Sequence, residues 1–107
     1  MAGPRHLLFC ICDHYEPLWG DRTSDVQGDE RVRAWEERYP QLAAGFRDAG
    51  GHPPRYTFFF PGEEYRPPFL ERLARLAAAA LGEVELHLHH DGDTEPNLRA
   101  DIAAYLQ

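Results

Sequence analysis

The chain has 107 residues, enough for one domain with a single core but near the lower limit for a parallel α/β layer. With 43% hydrophobic and 27% charged residues it reads as an ordinary soluble globular protein, and no apolar run approaches the roughly 20 residues needed to span a bilayer. The formal charge of -7 argues against nucleic acid as the main partner, and all eleven basic side chains are arginine, which excludes Schiff-base and P-loop lysine chemistry.

The first expected strand runs from His6 to Asp13. Its run Leu7-Leu8-Phe9-Cys10-Ile11-Cys12 has the length of a short signal core, but Asp13-His14-Tyr15-Glu16-Pro17 follows in place of a small-residue cleavage site. A cytoplasmic location is therefore expected. Cys10 and Cys12 fall on one face of this strand and are expected to be small buried side chains, not a disulfide. A long connection, His14 to Gly28, contains Tyr15, Glu16, Trp19 and Asp21, and its aromatic content favours a functional loop. It also holds Ser24, the only serine, which leaves a serine-hydrolase reading almost nothing to stand on.

Val32, Trp35 and Tyr39 predict a helix over 29–38. Pro40 reads as opening a second helix to about Ala49, stopped by Gly50-Gly51. The second strand is Arg55 to Phe60, closed by Pro61-Gly62. A helix follows from Pro67-Pro68, with Leu70, Leu73, Leu76 and Leu81 on its inner side and Gly82 as its cap. The third strand is Glu83 to His89, and the last helix starts near Thr94 with Leu98, Ile102, Tyr105 and Leu106 as its stripe. Repeated βα units predict one α/β domain over 1–107 with a parallel sheet and all strand C-termini on one edge. Three strands alone leave both edges open, so the chain is expected to form part of a larger barrel or sheet.

That C-terminal edge gathers the chemistry. Strand alternation sends Glu85, His87 and His89 to one face and Val84, Leu86 and Leu88 to the other, and His90, Asp91 and Asp93 follow in the turn. Imidazoles with a carboxylate are the usual ligands of a catalytic Zn²⁺, and the set also suits other divalent metals. Such a metal would activate water for hydrolysis of an amide or ester. Asp13 and His14 end the first strand beside this cluster. Glu63 and Glu64 read as solvated loop charges, while Tyr15 and Trp19 are candidates to stack on a sugar ring.

Tyr56-Thr57-Phe58-Phe59-Phe60-Pro61-Gly62, followed by a helix and then Glu85-Leu86-His87-Leu88-His89, resembles the polysaccharide deacetylase superfamily. There the second strand often reads T-F-F-V-x-G and the third ends E-I-x-x-H-x-x-x-H. The resemblance implies the N-terminal part of a distorted (β/α) barrel and a metal-dependent hydrolase removing an N- or O-acyl group from a carbohydrate-like substrate. It also implies a metal site of Asp13, His89 and Asp93, supplemented by His87 or His90, with zinc the expected ion. Cys12 falls where the family has its general base. A shift of one residue instead makes Asp13 the catalytic base and His14 a metal ligand. The other readings are an amidohydrolase-like enzyme using His87 and His89, and a non-catalytic module that forms a homo-oligomer or assembles with the missing barrel half.

Overall fold

The computed structural model describes residues 3, 5–89 and 92–105. It is a mixed α/β structure with a three-stranded, fully parallel, open sheet in the order β1 (Ile11–His14), β2 (Tyr56–Pro61), β3 (Gly82–His87). Three helices, α1 (Asp25–Ala43), α2 (Pro67–Ala78) and α3 (Glu95–Tyr105), alternate with the strands, and a 3₁₀ turn (Gly62–Glu64) follows β2. Among the described residues, no helix is long and apolar enough to cross a membrane.

The core lies on one side of the sheet. Tyr56, Phe58 and Phe60 alternate along β2 and pack against Val32, Tyr39 and Ala43 of α1 and Phe69, Leu73 and Leu76 of α2. Gly28 permits the close approach of α1 to its neighbours, because a Cβ there would lie 2.6 Å from Leu18 and 2.7 Å from Phe69. Between the two helices Arg72 donates to both carboxylate oxygens of Asp29, at 3.0 and 3.2 Å, and to Glu36 at 2.8 Å. Arg75 completes this network on Glu36. Burying two amphipathic stripes against one sheet face is the main stabilising term, and the arginine network fixes how they cross.

Several boundaries differ from the sequence reading, and β3 ends at His87, so that Leu88 and His89 lie beyond the ladder. Strand β1 begins at Ile11, not His6, and leaves Leu7, Leu8 and Phe9 exposed. Ile11 pairs with Tyr56, so an extended ladder would set Phe9 and Leu8 opposite Pro54 and Pro53, which have no N–H to give. Cys10 and Cys12 are free and exposed, not buried, because one precedes the ladder and the other faces away from the helices. Pro40 lies inside a single α1, which starts in a capping box between Ser24 and Gln27 and ends at Ala43. Finally, α2 is closed by Ala80, at φ 58°, with Leu81 N donating to Leu76 O and Ala80 N to Ala77 O. Gly82 instead begins β3, where a Cβ would meet the Tyr56 carbonyl oxygen at 2.6 Å.

The opposite face of the sheet carries Cys12, His14, Thr57, Phe59, Glu83, Glu85 and His87 by strand alternation. Parallel sheets ordinarily have both faces covered. Here α1 and α2 occupy one face, and the strand residues of the other are half-buried or exposed apart from Pro61 at its end.

Candidate functional site

Strand geometry brings His14, Glu16 and His87 together at the C-terminal edge of the open face. Tyr15 N donates to Phe59 O at 2.8 Å, which carries the β1 alternation two residues past Asp13. Tyr15 therefore turns into the core, and His14 and Glu16 share the opposite face. From β3, His87 reaches over the end of β2, and its ring centroid lies 4.3 Å from that of His14.

Glu16 Oε1 is the hub. It lies 3.6 Å from His14 Nδ1, 3.5 Å from His87 Nε2 and 3.2 Å from His89 Nε2. Ligand atoms from His14, Glu16 and His87 all fall within 4.8 Å of one another. Two imidazoles and a carboxylate are the donor set of a catalytic zinc site, and ligands about 2.0–2.2 Å from such an ion stand roughly 3.3–3.6 Å apart. The two distances from Glu16 match that spacing and the third pair lies within 4.8 Å, so the donor set is compatible with such an ion. Glu16 is the most enclosed of them, its side chain 10% exposed, whereas that of His14 is 69% exposed and leaves the site open to solvent.

The neighbouring histidines are pushed in opposite directions. Burial, reinforced by His14 and His89, lowers the His87 pKa and keeps its imidazole neutral, the form that binds metals. Glu63 accepts a hydrogen bond from His89 Nδ1 and Glu16 one from Nε2, and these raise the His89 pKa and favour the imidazolium. Around the cluster an open pocket of roughly 700 Å³ is lined also by Trp19, Arg31 and Leu88. That volume lies in the range of small-molecule sites. Trp19 is 71% exposed, so its ring is presented to the pocket and is not part of the packing.

The other residues singled out in the sequence lie elsewhere. Asp13 shares a face with Tyr56 and Phe58, and its hydrogen bond and charge help raise the Tyr56 phenol, whose main cause is burial. Tyr15 is buried, edge-on to Phe58 and Trp35, and its hydroxyl has no hydrogen-bond partner among the described residues. Asp93 is exposed and adds to the charges near the Tyr105 phenol, while the candidate ligand His90 lies outside the described residues. Glu16 is the hub that sequence reasoning overlooked, although His14-x-Glu16 continues the strand alternation and could have revealed it. Glu63 and Glu64, read as solvated, bond to His89 and to the Leu18 amide.

No family model matches the chain, and no curated protein or solved structure matches it.

Proposed function

We propose that the protein is a divalent-metal-dependent hydrolase similar to polysaccharide deacetylases, acting on an N- or O-acyl group of a carbohydrate-like substrate. The observation that carries this reading is the convergence of His14, Glu16 and His87 at the strand ends. These three side chains would hold the ion, zinc by donor set, in place of the Asp13, His89 and Asp93 set that the family resemblance implies. When bound, the ion supplies Lewis acidity toward an acyl oxygen and acidifies water. His89, oriented by Glu63, holds a proton beside the cluster and passes it to the departing group. Trp19 offers an exposed ring on which a pyranose stacks. A barrel completed by further strands, and a cytoplasmic setting, belong to the same proposal.

Zinc titration of metal-free protein, monitored calorimetrically, tests it. The expected result is one site in the wild type and at least about 10-fold weaker binding in His14→Ala and in His87→Ala. A wild type that binds no zinc sinks the reading. Unchanged affinity in both variants moves the ion to other ligands, for which Asp13→Ala and Asp93→Ala are the next test.

A second reading, a module that needs a partner, draws on the open sheet and on Leu7, Leu8 and Phe9, exposed by 91%, 90% and 81%. It predicts a dimer or larger assembly through the β1 edge, measured by light scattering, and disruption on Leu8→Asp.

A further inference from the structure

The residues that carry Glu16 form a turn fixed from two sides. Trp19 N donates to the Glu16 carbonyl oxygen at 3.0 Å and closes the turn over Pro17 and Leu18. From α1, Arg31 Nη1 donates to the carbonyl oxygens of Pro17 at 2.8 Å and Trp19 at 3.0 Å. From the 3₁₀ turn after β2, Glu64 Oε2 accepts the Leu18 amide proton at 2.7 Å, across 46 residues of chain. Leu18 itself packs against the core, where it meets Gly28. The carbonyls of the turn are thus held by one element and its amide by another. Without Glu64 the Leu18 amide loses this partner, and the Trp19 amide, bonded within the turn to the Glu16 carbonyl, is left to hold that side.

We propose that Glu64 is a positioning residue for Glu16. By accepting the Leu18 amide it keeps the turn in the conformation that sets the Glu16 carboxylate beside His14 and His87. Groups that orient a metal ligand without touching the ion typically change affinity by about 10–100-fold when removed. The consequence for metal rests on the proposed cation site, whereas the holding of the turn can be measured without any metal.

Two substitutions separate the hydrogen bond from the charge. Glu64→Gln and Glu64→Ala both remove the negative charge near Glu16, but only alanine removes the acceptor. Amide hydrogen exchange at Leu18, followed by NMR on the metal-free chain, should stay within about twofold of wild type in Glu64→Gln and accelerate about 10-fold or more in Glu64→Ala. Zinc affinity should be about 10-fold lower in the alanine variant than in the glutamine variant. Should alanine unfold the chain, Glu64→Asp compared with wild type gives the acceptor contrast at constant charge, because it keeps the charge and retracts the acceptor by one methylene. Equal Leu18 exchange in the acceptor-bearing and acceptor-free variants overturns the proposal. So does faster exchange with no difference in zinc affinity between them. A wild type without zinc binding sinks the cation site and leaves Leu18 exchange to decide whether Glu64 holds the turn.

Discussion

The two faces of the sheet use the same strands for opposite purposes. On the helix side, Tyr15, Tyr56 and Phe58 join Trp35 and Tyr39 in a continuous aromatic cluster, with neighbouring rings edge-on or tilted. On the open side, the registers of β1 and β3 with β2 place His14 and His87 over the end of the central strand. One face is built to exclude water and the other to meet it. Residues one apart in sequence, such as exposed His14 and buried Tyr15, are therefore in different chemical environments, and a one-residue error in assigning a ligand moves it across the sheet.

Substituting on one face and then the other should separate stability from binding. Phe58 is fully buried at the centre of the core, and Phe58→Ala is expected to lower the unfolding free energy by about 3–5 kcal/mol, read by urea denaturation. His14→Ala, on the exposed face, should change it by no more than about 0.5 kcal/mol while weakening zinc binding. A large stability loss from His14→Ala would erase the distinction between the faces.

The helix layer can be loosened without touching either face. Arg72 joins α2 to Asp29 and Glu36 of α1 through partly exposed side chains, so Arg72→Ala should cost about 1 kcal/mol and leave zinc affinity unchanged. The network also predicts a pH dependence. Hydrogen bonds from Arg75 and Arg72 hold the Glu36 pKa below its ordinary 4.5. A lowered folded-state pKa stabilises fully above the unfolded value and is lost as pH falls through the folded one. The stability difference between wild type and Arg72→Ala should therefore shrink in acid below about pH 4.5. A constant difference down to pH 2.5 would mean that the arginine acts through packing alone.

Much of the helix side was legible in the sequence. The apolar runs and their proline and glycine punctuation locate three strands and the helix between β2 and β3, because burial on a repeating face leaves a periodic trace. Limits set by a neighbour leave no such trace. The start of β1 depends on Pro53 and Pro54 opposite it, and Pro40 lies in the last turn of α1, where its missing N–H costs one helical bond near the end of the helix. At the candidate site, the His87 and His89 pair was readable from composition, and His14 from its position beside Asp13. Glu16 was missed because it lies in an apparent loop, although the alternation of β1, which the Tyr15–Phe59 backbone bond carries past His14, points to it. The partners of Glu63 and Glu64 lie 26 and 46 residues away, beyond any local pattern.

The smallest expected effect bears most directly on the division between faces. Tyr15 lies between a strand residue and a loop residue that both point to the site, yet its own ring is in the core and its buried hydroxyl has no partner among the described residues. Burial raises its phenol pKa, so the hydroxyl stays protonated. An unsatisfied buried hydroxyl costs about 1 kcal/mol or more, and phenylalanine keeps the ring while removing it. Tyr15→Phe is therefore expected to raise stability by about 0.5–1 kcal/mol and to leave zinc affinity within about twofold, by denaturation and calorimetry on one preparation. Stacking on a sugar would fall to Trp19 alone. If Tyr15→Phe instead weakens carbohydrate or zinc binding, the phenol reaches the pocket and the two faces communicate through the strand end that joins them.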